Sequence, residues 1–418
     1  MGANLFGVGL SGLRAAQLGL ATTSHNIANA GTPGYSRQRL DLAAGVPLFD
    51  SGSYFGSGVR LLEVRRSYDQ FLTHELRSET AFAAEQRLHH TLAAGVDALL
   101  SDTGTSLAAS LQGYFDALQE VAADPASGTA RQFLLDQADG LAGRFRDLDG
   151  RLRQTHDAVE AEARGAVESI NTLAAEVARL NRGIAQARGQ GAAPNDLLDQ
   201  RDELMRQLAA QVGVTTLMQD DGSLNVYIGS GQTLVVGSES YRLALAPRGA
   251  DRPTAGVLLE GGGGGQVEVT SQVRGGALGA AIAFEAGLLS DAERRLGQIA
   301  LGLADAMNAQ HRLGMDQNGW IGGDLFTAVN DPTLTLARAL AQVSNSGNAR
   351  LDVMIDSVAD LGESDYLLSY DGSAYQLVRM SDKALIGTFA SLPQGLGSEG
   401  FSIALESGSP APGDGFII

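Results

Sequence analysis

The glycine pattern Gly7-Val8-Gly9-Leu10-Ser11-Gly12 is the first stretch of the chain whose spacing could bind a ligand. It is a literal G-x-G-x-x-G, which cradles a dinucleotide pyrophosphate when it follows a β-strand and opens a helix. Only six residues precede it, too few for that strand. The pattern therefore predicts no nucleotide site.

A second pattern, Asp316-Gln317-Asn318-Gly319 with Asp324 nearby, has the acidic spacing of a calcium-binding loop. An EF-hand loop ends on a glutamate at its twelfth position, and Thr327 stands there. We interpret the segment as a turn rather than as a metal site.

The nucleophiles and metal ligands of the chain do not form a recognisable motif. Six histidines are scattered, His89 and His90 point to different helix faces, and no His-Glu-x-x-His occurs. His311, at a helix end, is expected to cap or pack. The absence of cysteine excludes disulfides and thiolate chemistry. We therefore expect no catalytic, cofactor-binding or metal-binding residue, and no enzyme.

The helix that carries the glycine pattern, Leu5 to Thr23, has a more informative spacing. Large apolar residues and two fillers, Gln17 and Ser24, follow one seam with steps of 4-3-4-3-4-3; the apolar members are Phe6, Leu10, Leu13, Leu20 and Ile27. This heptad period is typical of a helix that packs lengthwise on other helices. A single helix cannot bury the seam alone, so we expect it to need a partner.

The segment Ser24 to Gln38 closes this helix into a turn. We expect Asn26 and Asn29 to cap the helix end through their side-chain amides. Tyr35 is expected to be a packing residue whose hydroxyl is hydrogen-bonded.

The whole segment resembles the N-terminal signature of the bacterial flagellar axial proteins, the rod, hook and hook-associated proteins. The family pattern is present in order: Leu10-Ser11-Gly12-Leu13, Gln17, Ser24, Asn26 to Asn29, Thr32, Gly34-Tyr35 and Arg37-Gln38. Later blocks resemble the hook-associated members in particular: Asn195–Leu204, Leu224–Gly231, Gly276–Gly279, Met307–His311 and Gly314–Gly319. The resemblance implies a set of subunit-contact residues: Leu10, Leu13, Leu20, Asn26, Ile27, Asn29, Gly34 and Tyr35.

The middle of the chain reads as helix from Tyr68 to Ala187 and as β structure from residue 214 to residue 273. One apolar stripe, Leu141 to Ile184, covers 44 residues, about 65 Å of helix at 1.5 Å per residue, with one stutter near Val159. An extended assembly and an intramolecular helix hairpin both fit this stripe. Strands are predicted at Val214–Met218, Leu224–Ile228 and Val267–Val273, among others, and the turn signal Asp220-Asp221-Gly222-Ser223 predicts a hairpin of the first two.

These patterns predict an α+β fold, a long coiled-coil-like helical bundle with a portion rich in β-hairpins and a β-rich outer domain. We expect an N-terminal axial helix with a turn and extended segment over 1–66. A rod-like helical core with a β insertion at 214–273 is expected over 67–345, and the outer domain over 346–418. The resemblance implies a C-terminal return helix that we expect to be absent, which would leave the N-terminal seam to fray or to pack on something non-native.

The composition excludes some classes of binding partner. A net charge of −18 argues against nucleic acid, which needs clustered Lys and Arg. No run of 18 apolar residues predicts a membrane span, and no basic segment predicts a cleaved signal peptide. The resemblance instead implies an extracellular flagellar protein, secreted through the flagellum's own export channel.

The resemblance also implies the function. We expect a structural subunit at the hook–filament junction, homo-oligomeric in the assembled junction, that links the two polymers and templates filament assembly. Its expected partners are the hook protein, a second hook-associated protein, and the export apparatus with its chaperone. The alternatives are another axial subunit, from hook or distal rod, and a surface binding module or adhesin acting through residues 351–418.

Overall fold

The computed structural model of the chain describes residues 2–50, 53–101, 106–247, 255–261 and 264–418. Long helices and antiparallel sheets alternate along it, which confirms the α+β class. The α-helices of the described residues are α1 Gly2–Ala28, α2 Gln70–Ser101, α3 Leu107–Ala123, α4 Gly128–Gly189, α5 Asn195–Gln211, α6 Gly276–Phe284, α7 Ser290–Arg312 and α8 Pro332–Thr335.

The strands are short, and each of those with a resolved pairing is antiparallel to its neighbour. The first eleven are β1 Gln38–Ala44, β2 Leu48–Asp50, β3 Ser53–Phe55, β4 Val59–Arg66, β5 Val214–Met218, β6 Leu224–Ile228, β7 Gln232–Val236, β8 Glu239–Ser240, β9 Arg242–Pro247, β10 Ala255–Glu260 and β11 Gln266–Glu268. The others are β12 Leu340–Ala341, β13 Arg350–Ile355, β14 Tyr366–Tyr370, β15 Tyr375–Arg379, β16 Leu385–Phe389, β17 Gln394–Leu396, β18 Phe401–Ser407 and β19 Gly415–Ile417.

The chain forms two compact units. The first consists of Met1–His89, Glu162–Leu245 and Val257–Ile282, and the second of His90–Ala161, Ala246–Gly256 and Ala283–Ile418. This grouping follows contacts within the fold, and the predicted division into 1–66, 67–345 and 346–418 stays a prediction.

The first unit holds α1, the hairpin of β1 with β4, and the sheet β5-β6-β7-β8. The predicted hairpin is found residue by residue, with Val214 opposite Ile228 and Met218 opposite Leu224. Its core includes Met205, Leu208 and Val226, which are fully buried. Helix α5 contributes several residues to this core and carries the acidic side chains of the site described below.

The long predicted stripe lies within α4, a helix of 62 residues. Leu148, Ile170 and Ile184 are buried, as its spacing requires of a core-facing row. The predicted helical region from Tyr68 to Ala187 is thus confirmed as α2, α3 and α4.

The predicted strand Val267–Val273 is wrong in its second half. Strand β11 ends at Glu268, and a 3-10 turn follows at Thr270–Gln272. The backbone N–H of Val273 donates to the carbonyl of Val269 at 3.2 Å, so both valines face the core while Ser271 is exposed. A strand and a helical turn both bring residues four apart to one side, so the apolar spacing could not distinguish them.

The second unit contains a β domain built from two sheets, β12-β19-β14-β15-β16 and β13-β18-β17. Their inner faces share one apolar core around Leu368, Leu377 and Ile403. In the helical part of this unit, Tyr114 packs with Leu141 and its ring lies 5.9 Å from that of Phe326.

The hydroxyl of Tyr114 is fully buried and has no hydrogen-bond partner among the described residues. An unsatisfied buried hydroxyl costs free energy, so Tyr114→Phe should raise the free energy of unfolding by about 1 kcal/mol. Tyr366→Phe is the matched control, because the Tyr366 hydroxyl donates to Glu399 and its loss should destabilise. Chemical denaturation followed by circular dichroism measures both changes. Destabilisation by Tyr114→Phe would show that the hydroxyl has a partner after all.

A second prediction concerns Asp414, which is buried in the β domain. Its carboxylate accepts backbone N–H groups from Ala411 at 2.8 Å, Ser346 at 2.8 Å and Gly347 at 3.1 Å, and the Ala411 bond above all lowers its pKa. Because folding favours the charged form, its contribution is present above the ordinary pKa of 3.8 and is lost as pH falls through the lower folded pKa. Asp414→Asn should therefore be less stable than the wild type at neutral pH.

Denaturation curves over a pH series test this expectation. The stability difference between wild type and Asp414→Asn should shrink as pH falls below 3.8. A difference that stays constant through this range would contradict the role given to the carboxylate charge.

Candidate assembly interface

Helix α1 presents small residues to its own chain. Val8, Ser11, Ala15, Gly19 and Thr22 are half-buried, and they form the face that meets strands β1 and β4. The hydroxyl of Ser11 accepts the backbone N–H of Val59 at 3.1 Å, which ties the helix to the start of β4. Small side chains allow this close approach.

The opposite face of α1 carries the predicted heptad seam. Phe6 is 81% exposed, Leu13 57%, Leu20 70% and Ile27 72%, and Leu10 is also exposed. Between Phe6 and Ala28 no side chain of α1 is buried. The helix is therefore held by one narrow face, while its large apolar residues face away from the described part of the chain.

Asn26 holds the turn after α1 together and does not cap the end of the helix. The Asn26 amide donates to the carbonyl of Gln38 at 2.8 Å, and its Oδ1 accepts both the backbone N–H of Gln38 and the Tyr35 hydroxyl at 2.8 Å. The capping role predicted for Asn26 is thus wrong, because its amide bridges a loop of twelve residues instead. The hydroxyl of Tyr35 is hydrogen-bonded, as predicted, and its pKa is raised by burial and then by Asp196 and Asp199.

Asn29 does close the helix. Its amide donates to the carbonyl of His25 at 3.1 Å, and its Oδ1 accepts the hydroxyl of Thr32. Gly34 has φ of +78°, and a Cβ built on it would lie 2.8 Å from the Cβ of Glu203 on α5. A glycine is therefore required where the turn meets α5.

Helix α5 holds the turn and the hairpin through a buried ion cluster. Asp199 accepts the backbone N–H of Ser36 at 3.0 Å and Arg66 Nη1 at 2.8 Å. Asp202 accepts the same Arg66 nitrogen at 2.8 Å and Arg77 Nη2 at 2.7 Å. The four charged side chains are between 7% and 14% exposed, and two cations balance two carboxylates. Low exposure makes these contacts strong and makes an unpaired member costly.

Arg201 extends the cluster into the core of the unit. Its guanidinium is fully buried and donates to Asn181 Oδ1 at 3.1 Å and to the carbonyl of Gly222 at 2.7 Å. Burial lowers its pKa to about 10, so it stays charged at neutral pH. Asn181 in turn donates to the carbonyls of Leu224 and Gly237, which fastens α4 and α5 to the sheet.

The structure therefore brings Asn26, Asn29, Gly34 and Tyr35 together in one turn, and leaves Leu10, Leu13, Leu20 and Ile27 on the exposed seam. Their role in subunit contact stays a prediction. Sequence reasoning missed Arg66 and Arg77, which pair with aspartates more than a hundred residues away. The acidic spacing Asp196, Asp199 and Asp202 within one amphipathic helix was the signal that could have found a basic partner.

The other sequence candidates take structural roles. His311 Nδ1 lies 2.7 Å from the carbonyl of Gly323, and the Asp316 carboxylate accepts the backbone N–H groups of Asn318 and Trp320 within a turn. Within the described ranges, no three His, Asp or Glu side chains group as metal ligands. In the same ranges, no helix has both the length and the apolar character needed to cross a bilayer.

Known proteins resemble this chain over most of its length. Residues 93–326 match the family model of the flagellar hook-associated protein FlgK helical domain, and residues 340–418 match that of the flagellar hook-associated protein 1 D2-like domain. Residues 6–35 match the flagella basal body rod protein model. The matched domains define an axial structural protein of the bacterial flagellum.

Individual relatives agree. The flagellar hook-associated protein 1 of Escherichia coli K12 is 33% identical to this chain, and the match covers 98% of the chain and 74% of that relative. The flagellar hook-associated protein 1 of Bacillus subtilis is 27% identical, and the match covers 87% of the chain and 76% of that relative. The solved flagellar hook junction protein FlgK from Burkholderia pseudomallei superposes with a TM-score of 0.73 at 30% identity, covering 82% of this chain and 62% of that one. The chain belongs to the flagellar hook-associated protein 1 family. It is thus an extracellular flagellar component of a structural family that assembles into the hook junction.

The ion cluster can be tested by removing one charge. Asp202→Asn leaves Arg66 and Arg77 short of a counter-charge in a buried site, so we expect the first unit to lose about 3 kcal/mol of stability. Hydrogen exchange at the amides of residues 34–38 should rise in parallel, because the turn loses its support. Asp149→Asn is the control, since Asp149 forms an exposed pair with Arg153 and should cost less than about 0.5 kcal/mol. Equal effects of the two variants would contradict a structural role for the cluster.

Proposed function

We propose that the chain links hook to filament and templates filament assembly, by burying its α1 seam against helices of neighbouring axial subunits. The observation that carries this proposal is the exposure of Leu10, Leu13, Leu20 and Ile27 on a helix with no buried side chain from Phe6 onward. A heptad seam is suited to lengthwise packing on another helix.

The turn residues are proposed to set the direction of this helix. Asn26, Asn29 and Tyr35 form hydrogen bonds within the end of α1 and the turn, and Gly34 lets that turn approach α5 closely, so the direction of the seam is fixed relative to α5. In this proposal they act on subunit contact both by positioning α1 and by their own exposed edges.

The energetics favour assembly only where several contacts form together. Full burial of one large apolar side chain contributes about 1.5–3 kcal/mol, and association opposes this with the loss of translational and rotational freedom. The net charge of −18 adds repulsion between free copies. A free subunit can therefore stay dissociated and add at a template that engages the seam, the turn and further surfaces at once.

The partners follow from this arrangement and from the family. We propose a homo-oligomeric layer that contacts hook protein on one side and a second hook-associated protein on the other, after secretion through the flagellar channel with a chaperone. The role is structural, without catalysis. The match of residues 340–418 to a family domain supports treating the β domain as part of this subunit rather than as a separate adhesin.

Charge on the seam tests the proposal. Leu13→Asp, Leu20→Asp or Ile27→Asp should block incorporation into flagella, because each would bury a carboxylate in an apolar interface. The exposed positions predict little loss of stability in the isolated chain. Leu18→Asp, on α1 but outside the seam and 42% exposed, is the matched control and should be incorporated.

The measurement is complementation of a strain that lacks the gene, scored by motility and by flagellin shed into the medium. Cells with the seam variants should keep hooks, lack filaments and release flagellin. Motile cells with normal filaments for all three variants would overturn the proposed role of the seam.

A further inference from the structure

The imidazole of His25 lies in the last turn of α1 and faces both the turn that follows and the start of α5. Its Nδ1 lies 3.3 Å from the hydroxyl oxygen of Tyr35, and its Nε2 lies 4.0 Å from Oδ2 of Asp196. The rings of His25 and Tyr35 meet edge to face, with centroids 5.5 Å apart. Each ring nitrogen therefore faces one oxygen atom, and the protons on the ring decide whether both contacts are favourable.

The directions of the hydrogen bonds around Tyr35 follow from Asn26. The Asn26 amide donates to the carbonyl of Gln38, and its Oδ1 accepts the backbone N–H of Gln38, so only one orientation of this amide fits. The Tyr35 hydroxyl lies 2.8 Å from the same Oδ1, which carries no hydrogen, so the hydroxyl must donate there. A phenol has a single hydrogen, and the Tyr35 oxygen can therefore only accept a hydrogen bond from His25.

This network assigns the protons of the His25 ring. A hydrogen bond to Tyr35 requires a proton on Nδ1, and a neutral imidazole has only one N–H. In the neutral ring, Nε2 thus presents a lone pair to the Asp196 carboxylate. The imidazolium instead carries a proton on each nitrogen, so it can donate to Tyr35 and attract Asp196 at the same time. Only the protonated ring satisfies both neighbours.

The charges around His25 also favour the imidazolium. The cavity beside it, of about 430 Å³, is lined by the following titratable or charged groups of the turn, α4 and α5: Tyr35, Glu176, Arg179, Asp196, Asp199 and Glu203. Asp199 pairs with Arg66, and Glu203 pairs with Arg206. The two other carboxylates face a single guanidinium, so the local charge is negative without the imidazolium. The carboxyl end of α1 adds its helix dipole, which stabilises a cation in the last turn.

We propose that His25 is a positioning residue that holds the end of α1 against α5 when its imidazole is protonated and loses this contact when the ring is neutral. Histidine is the side chain whose charge ordinarily changes between about pH 5 and pH 8. The contact therefore forms in mildly acidic solution and is lost as the pH rises. The inference rests on the proposed function, because it makes the direction of the α1 seam depend on pH.

The contact acts on the local opening of the turn rather than on global unfolding. The side chain of His25 is 40% exposed and that of Asp196 is 62% exposed, so water screens their attraction. The backbone N–H groups nearest the contact are those of Asn29, bonded to the carbonyl of His25, and of Thr32, bonded to that of Asn29. We expect their protection from hydrogen exchange to change by about threefold, as suits a partly exposed ion pair.

Nuclear magnetic resonance of the full chain labelled with ¹⁵N-histidine tests the proton assignment. Long-range ¹H–¹⁵N spectra are recorded from about pH 5 to about pH 9, and His25→Gln identifies the signals of His25. We expect a proton on Nδ1 alone at the alkaline end and a proton on both nitrogens at the acidic end. Tyr35→Phe, which removes the acceptor, should abolish the preference for Nδ1. A proton on Nε2 alone at the alkaline end of the wild-type series would overturn the assignment.

Hydrogen exchange of the isolated chain, corrected for the intrinsic pH dependence of the exchange rate, tests the positioning role. Protection of the Asn29 and Thr32 amides should be about threefold higher at the acidic end than at the alkaline end. Asp196→Asn keeps the shape of the side chain and should remove this dependence. Asp220→Asn is the matched control, because Asp220 is an exposed carboxylate of the same unit, and it should keep the dependence. Equal pH dependence in Asp196→Asn and the wild type would contradict the role of His25.

These two measurements separate the inference from the proposed function. Both use the free subunit, so a negative result in either would remove the role of His25 and leave the assembly role of the seam standing. Normal flagella in cells that carry the seam variants would instead overturn the proposed function, whatever the protonation of His25.

Discussion

The ion cluster on α5 is the constraint on which the first unit depends. Arg66 comes from β4, Arg77 from α2, and Ser36 from the turn after α1, and all three donate to Asp199 or Asp202. Because Arg66, Arg77, Asp199 and Asp202 are buried and pair with one another, each depends on the others, and the elements they come from are fixed together.

This constraint explains how a helix with no buried side chain from Phe6 onward can still point in a defined direction. Small residues on one face of α1 meet the β1–β4 hairpin, and the turn residues tie its end to α5. The opposite face is left with large apolar side chains. An exposed apolar face of this kind promotes aggregation in a protein that acts alone, whereas in a subunit it can form the contact with a neighbour.

The local parts of this fold could be predicted from the sequence. The turn signal Asp220–Ser223 and the flanking β-branched residues gave β5 and β6 residue by residue, and the spacing in Leu141–Ile184 gave the buried face of α4. The strand predicted over Val267–Val273 was wrong in its second half, because apolar residues spaced by four fit both a strand and a helical turn. The same ambiguity did not arise for α1, whose seven seam positions repeat over several turns.

The acidic spacing on α5 indicates that a basic partner exists, but which residues supply it could not be predicted. Arg66 and Arg77 stand more than a hundred residues from Asp199 and Asp202, and a charged residue in a helix is usually solvated, so only the tertiary fold distinguishes them. Asn26 was expected to act on its own helix end, yet it bonds across the turn to Gln38, because the hairpin brings that strand alongside. Long-range polar contacts depend on the topology, which single-sequence patterns do not contain.

We propose that the α1 seam is exposed in the free subunit and buried in the flagellum. The reactivity of one introduced thiol measures this directly, since the chain has no cysteine. Leu20→Cys, compared in the purified subunit and in intact flagella, should react rapidly with a maleimide when free and be strongly protected after assembly. Equal reactivity in the two states would show that the seam is not buried on assembly.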